Sequence, residues 1–278
     1  MDLSARTSAA NAARKSGVRI AALESMASAF ACERFLSEVW RTGPDHPPIA
    51  ADVVKAMADA GSYVAGAFDG DRLLGACVGL WGPPGQPGMH SHIAGVGAEA
   101  RGREVGFALK LDQRAYVLEN GADRITWTFD PLVARNAHFN LGKLGGTADE
   151  YLTDYYGPLS DGLNHEDESD RLLLRWDLLG ERTRAACDDH RPEPAGPVPP
   201  ALLDIEDDRP VSRSCEEETV LVAIPPDIEL LRTRRPSIAR DWRLAVRETL
   251  GVLLADGARL TGFDRAACGY VLTRGEGR

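Results

Sequence analysis

At 278 residues, with 44% hydrophobic and 27% charged side chains, the chain is long enough to bury a full core and to carry a second module. A formal net charge of −10 excludes a general nucleic-acid binder, which needs a basic surface against phosphate; the absence of an uninterrupted apolar run of about 20 residues argues against a membrane span. Five cysteines, odd in number and widely spaced with no CxxC pair, predict reduced thiols, a cytoplasmic protein and no metal site.

The first 17 residues, rich in Ala, Ser and Arg without an apolar signal core, read as a flexible tail. Val18 to Leu23 follows as a strand, then a helical run through Met26, Phe30, Phe35 and Trp40, and a second helix over Ala50 to Ala60. Tyr63–Phe68 and Arg72–Trp81 flank Asp69-Gly70, a two-residue hairpin signal that sets an antiparallel pair. His90 to Ala98 is the fourth strand, and a helix from Glu104 to Asn120 closes on Gly121 as a left-handed cap. Arg124 to Asp130 is a fifth strand; Val133 to Leu144 is helical and stops at Gly145-Gly146; Tyr151–Tyr156 and Arg171–Asp177 supply two more strands. The mixture predicts an α/β or α+β layer, a mostly antiparallel sheet flanked by helices.

Between the fourth strand and its helix lies Arg101-Gly102-Arg103-Glu104-Val105-Gly106. The glycines let backbone approach a ligand closely, the arginines bring positive charge, and the helix start presents free N–H groups, so the segment suits a polyanion. This loop resembles the pyrophosphate loop of the GNAT superfamily of acyl-CoA-dependent N-acyltransferases. The resemblance runs from about Val18 to Asp177 and takes in Trp127-Thr-Phe-Asp-Pro-Leu132, Arg135-Asn136-Ala137 with Leu144-Gly145, Tyr155-Tyr156-Gly157 and Asp170-Arg171-Leu172, blocks similar to a less characterised subgroup, some members of which acylate amino acids. It implies a GNAT-like domain over 18–179, with acyl-CoA, acetyl or succinyl, as co-substrate and a small amine as acceptor. It also implies cofactor contacts from Gly95 and Val96 at the end of the fourth strand, from the loop residues Arg101, Gly102, Arg103, Glu104, Val105 and Gly106, and from Asn136. As a lone residue, Asn136 reads equally as a helix cap or turn residue. Two positions depart from the family pattern: Glu104 stands where glycine is usual, and Leu141 where many relatives carry the tyrosine that protonates the leaving thiolate.

Residues 180–218 are rich in proline and acidic side chains with little apolar periodicity, which predicts an exposed linker. Beyond it, a strand at Thr219–Ile224, a helix from Ser237 with Ile238, Trp242, Val246, Leu250 and Leu254 on one face and Gly257 at its end, and strands at Arg259–Phe263 and Gly269–Leu272 form a βαββ unit over 219–278. At about 60 residues such a unit is too small to be comfortable alone, which implies docking on the first domain or on a partner subunit, and admits a homodimer.

Acyl transfer to an amine needs a base for the ammonium proton and donors for the thioester oxygen. His90 and His92 lie two apart on one strand, hence on one face, and a neutral imidazole suits general-base work. His92 is the preferred base; Asp130 is the second candidate, or else a turn cap before Pro131. Tyr156, with Tyr155 beside it, stands in as acid for the missing tyrosine, or else is a sheet-surface aromatic. The competing reading is a non-catalytic GNAT-like ligand-binding or assembly module.

Overall fold

The computed structural model describes residues 3–43, 45–157, 162, 167–187 and 197–275. Contacts divide the chain into two compact units, residues 1–127 with 177–180, and residues 128–176 with 181–278.

The first unit begins with helix α1 (Leu3–Lys15), so the expected tail is ordered. Ala5 and Ala9 are buried, and Arg6 reaches Asp112 at 2.9 Å and Glu119 through its Nε at 2.9 Å. An Ala/Ser/Arg composition that lacks a broad apolar stripe still folds when small residues allow close packing on a neighbouring helix. Strand β1 (Arg19–Ala22) follows, then α2 (Met26–Trp40), begun by a capping box between Ser25 and Ser28, and α3 (Ala51–Asp59). Strands β2 (Tyr63–Asp69), β3 (Arg72–Trp81) and β4 (Met89–Val96) form an antiparallel meander with β1 at its edge, and Gly70 turns the expected hairpin with φ 59°. One face of the meander packs Val64, Ala76 and Val78 against Leu23, Ala29, Cys32, Leu36 and Val54. The other receives α4 (Val105–Glu119): a side chain at Gly75 would meet Leu109 at 2.9 Å and one at Gly79 would meet Gln113 at 2.7 Å. Gly121 caps the end of α4 with φ 82°, and β5 (Arg124–Phe129) runs from the first unit into the second.

The second unit continues with the short helix α5 (Ala134–Ala137), which widens into a π-helical turn over His138–Lys143. Strands β6 (Thr147–Leu152) and β7 (Arg171–Asp177) pair antiparallel, and α6 spans Glu181–Cys187. Strands β8 (Ala201–Glu206) and β9 (Arg209–Ser212) form a hairpin. Most of the described residues in the expected linker are therefore built into secondary structure; residues 188–196 lie outside the described set. Asp207 and Asp208, both at positive φ of 50° and 64°, make the turn, and Trp242 donates its indole N–H to the Asp208 carbonyl at 2.8 Å. Strand β10 (Thr219–Ala223) pairs parallel with β8 and antiparallel with β12. The helical run that follows is α7 (Ile228–Arg234), α8 (Pro236–Val246), a π turn over Arg247–Gly251 and α9 (Val252–Ala255). Strands β11 (Arg259–Asp264) and β12 (Gly269–Thr273) close a five-stranded sheet of order β11-β12-β10-β8-β9. The βαββ order holds, but its sheet recruits the hairpin from the segment before it, and the compact unit it belongs to also takes in residues 128–176.

Candidate functional site

Strand β4 carries two irregularities. Its register against β3 slips by one residue between the rungs Val78–Ile93 and Gly79–Ser91, leaving His92 as the extra residue of a β-bulge. Its parallel partner β5 meets it at two rungs only, Met89 with Ile125 and His90 with Thr126. From Ser91 onward β4 leaves β5, and the two strands form a fork.

The backbone beyond the bulge is set by alternation. The Gly97 N–H donates to the Leu74 carbonyl at 2.9 Å, and because antiparallel pairs alternate, Gly95 and Ile93 also face β3 while Ala94 and Val96 turn their N–H and C=O groups outward along the unpaired edge. Of the two expected strand contacts, Val96 thus presents its backbone and Gly95 does not. Gly95 answers another constraint: a Cβ there would stand 3.0 Å from Val39 and 3.1 Å from Leu36, so the glycine admits α2.

His90 and His92, on either side of Ser91 in β4, stand with ring centroids 6.3 Å apart. Displacement of water from both rings lowers their pKa values, for His90 with the further push of His92 and Lys110. His92 remains exposed at its outer edge. A neutral, reachable imidazole at the mouth of the fork can accept a proton.

The loop leading to α4 separates its residues by role. Arg101 is exposed, and its guanidinium has no hydrogen bond or ion pair among the described residues. Gly102 sits at φ 81°, with nothing within 4 Å of a would-be Cβ. Arg103, expected to meet the ligand, is instead a staple: its Nη2 donates to the carbonyls of Ser16 at 3.3 Å and Gly17 at 3.2 Å and to Asp69 at 3.1 Å. Its backbone N–H goes to Ala100 at 3.2 Å. Glu104 is at φ 61°, a left-handed conformation that glycine adopts without cost and a side chain resists. That is the physical reason for glycine at this position, and it adds to the charge argument. Val105 buries its side chain against the sheet, so Val105 and Gly106 offer only backbone at the helix start, where the first N–H groups have no partner within the helix.

The other expected residues belong to the second unit. Asp130 is not available as a base. Burial alone would raise its carboxyl, but Arg243 and Arg232 beside it outweigh that and hold it well below the usual carboxylate range. Arg243 grips both oxygens at 3.0 Å, Arg232 donates at 2.6 Å, and both arginines also reach Asp167, at 2.9 and 2.8 Å. An anion so strongly stabilised is a poor proton acceptor. The Tyr156 hydroxyl lies 3.0 Å from Thr128 Oγ1, and its ring carries Arg171 at 5.4 Å; the residue is exposed and sits in a turn beyond the end of β6. Asn136 lies inside α5, whose cap position is Val133, so it is no cap, and its carboxamide has no hydrogen bond among the described residues. Leu141 is buried. No group of three His, Cys, Asp or Glu among the described residues is placed to hold a metal, and no helix there is long and apolar enough to cross a membrane.

Sequence reasoning missed Lys110, which is 5% exposed beneath the fork. A lysine in an amphipathic helix reads as solvated; only its place among Phe107, Leu109 and Leu111, all buried, hints otherwise.

The chain is similar to acetyltransferases of the GNAT family. Solved structures that it resembles include a GNAT-family acetyltransferase from Streptococcus pneumoniae, at 13% identity over 57% of this chain and 97% of that one with a TM-score of 0.47. An N-acetyltransferase from Staphylococcus aureus Mu50 shares 14% identity over 58% and 98%, with a TM-score of 0.48. An acetyltransferase from Bacillus subtilis in complex with CoA shares 21% over 58% and 99%, with a TM-score of 0.43. No family model and no curated protein matches the sequence.

Proposed function

We propose that the protein is an acyl-CoA-dependent N-acyltransferase that transfers an acetyl or succinyl group to a small amine, such as an amino acid. The observation that carries this reading is the fork: β4 parts from β5 immediately after His90 and, beyond a bulge at His92, offers the outward backbone of Ala94 and Val96. An extended amide-bearing arm can complete such an edge as a strand would. The loop at Arg101–Gly106 lies at the other end of the same strand, with a helix start and a cation for phosphates.

Within this reading the amine attacks the thioester carbonyl directly in a ternary complex. The C–N bond forms, the tetrahedral oxyanion is held by an outward N–H of β4, and collapse breaks the C–S bond. His92 takes the ammonium proton before attack. The departing thiolate takes its proton from solvent or from the amine, because position 141 carries leucine.

The test is a thiol-release screen of acetyl-CoA and succinyl-CoA against a panel of amines, run beside calorimetry with CoA. Amine-dependent release identifies the acyl group and acceptor class. CoA binding without release from any amine would favour the non-catalytic ligand-binding reading, and absence of both would defeat the acyl-CoA assignment.

A further inference from the structure

The fork has an unexpected object in its crotch. Ser91 and Trp127 are the residues that would form the next rung after His90 and Thr126, where ladder pairing ends. Lys110 reaches up from α4 into that place. Its Nζ donates to Ser91 Oγ at 2.7 Å and to Gln113 Oε1 at 3.1 Å, and lies 3.8 Å from the centroid of the Trp127 ring. One ammonium therefore touches both prongs: a hydrogen bond to β4 and a cation–π contact to β5. Ser91 adjoins the bulged His92 and also contacts Cys77 on β3 at 3.7 Å.

A cation is a costly choice for a position 5% exposed. Burial lowers the Lys110 pKa to about 8, only partly offset by Cys77, and the oxygens it donates to, on Ser91 and Gln113, carry no charge to neutralise it. An apolar chain of the same length would fill the space at lower cost. A cation in this position points to a task other than packing.

We propose that Lys110 is a positioning residue that replaces the missing rung, fixing both the opening between β4 and β5 and the direction of the His92 bulge, and so the seat of the acyl-CoA arm. The proposal rests on the acyl-CoA reading for its last clause, but the strand fork is a property of the chain by itself.

The decisive comparison is Lys110→Met, which keeps length and loses charge, against wild type in three measurements on the full chain. Because the folded-state pKa is lowered from 10.5 to about 8, the charged form is disfavoured in the fold, and the cost is largest below about pH 8 and fades as pH rises toward 10.5. At pH 7 the methionine variant is therefore expected to melt no lower than wild type. At that equal stability, hydrogen exchange in residues 89–96 and 124–127 should quicken by about tenfold, and acetyl-CoA should bind about tenfold more weakly. Wild-type affinity should also decline between pH 7.5 and 9.5 while the variant stays flat. The other titratable groups facing this cluster are Cys77 on β3, His90 on β4 and Asp112 on α4; the flat profile of Lys110→Met separates the lysine's titration from theirs, and Ser91→Ala, which removes the lysine's acceptor on β4 together with the Cys77 contact, should reproduce a smaller part of the loosening. Unchanged exchange in both variants overturns the strut. Quickened exchange in a protein whose wild type binds no acetyl-CoA upholds the strut and overturns the acyl-CoA reading. Quickened exchange with unchanged affinity shows that the opening does not govern the ligand, and overturns the proposal.

Discussion

The fork in the first unit and the arginine cluster in the second both bury charge, and they do it in opposite ways. Around Asp130 each carboxylate oxygen meets a guanidinium, and neighbouring Asp170 receives Arg247 at 2.7 Å and the Tyr151 hydroxyl at 2.6 Å. Such a cluster is closed at its carboxylates, and the donor it leaves without a partner, Arg243 Nε, is buried from solvent. At the fork the polar atoms are arranged open, with an unpaired strand edge, two neutral imidazoles and an exposed arginine. Capacity left over, more than burial or charge, distinguishes a place for chemistry from a lock on the fold.

That comparison is broken most directly at His92. If it is the base, His92→Ala should lower kcat by roughly 10²–10⁴-fold with a smaller change in acyl-CoA affinity. With its pKa below the ordinary 6.5, wild-type turnover should hold its plateau into mildly acid solution and fall only as the ring protonates, a limb that the variant lacks. Wild-type turnover in a folded variant across pH 6–9 removes His92 from the mechanism.

At the closed cluster the loss should appear in stability. Asp130→Asn takes one of two shared carboxylates from two buried guanidiniums, leaving them Asp167, and should cost about 3–5 kcal/mol by denaturant titration. Since the folded-state pKa of Asp130 is depressed, its contribution is complete above its unfolded value, near 3.8, and is lost as pH falls below that toward the folded value. The variant's stability should therefore vary less than that of wild type between about pH 4 and 2. A variant as stable as wild type would mean that the cluster is no lock.

Smaller effects sharpen the division inside the loop. Arg101→Glu should weaken acyl-CoA binding by about 1–3 kcal/mol, as expected for a lost charge-assisted hydrogen bond, without altering the melting temperature. Unchanged calorimetric affinity would remove Arg101 from the site. Glu104→Gly relieves a left-handed side chain and should stabilise the protein by up to about 1 kcal/mol while tightening binding. Weaker binding would show that the Glu104 carboxylate supports the loop.

What could be read from sequence follows from where the signal is local. Asp69-Gly70 and the start of α4 after the loop at 101–106 depend on neighbours in the chain, and the structure has the hairpin and the helix start where they are expected; His90 and His92 stand 6.3 Å apart, but the bulge at His92 breaks the strict alternation from which a shared face was read. Helix α1 escaped because alanine and serine carry little hydrophobic contrast, and its burial depends on α4, a hundred residues away. The β8–β9 hairpin escaped because its turn uses Asp207-Asp208 where glycine or asparagine is the usual signal, so acid that makes a turn was read as solvated linker. The reassignment of Asp130 from base to ion-pair anchor depends on Arg232 and Arg243, more than a hundred residues away, and no local pattern announces them. Lys110 is the same case in the first unit.

The Arg103 staple has a thermodynamic consequence. By tying the loop to the carbonyls that end the α1 connection and to the Asp69 hairpin, it restricts the backbone before any ligand arrives. Freedom removed in the empty protein is not lost again on association, so phosphate capture here should show little entropic penalty and little structural adjustment. The protein would meet a charged nucleotide as a rigid receptor, and selectivity among such ligands would then come from shape at the strand edge more than from rearrangement of the loop.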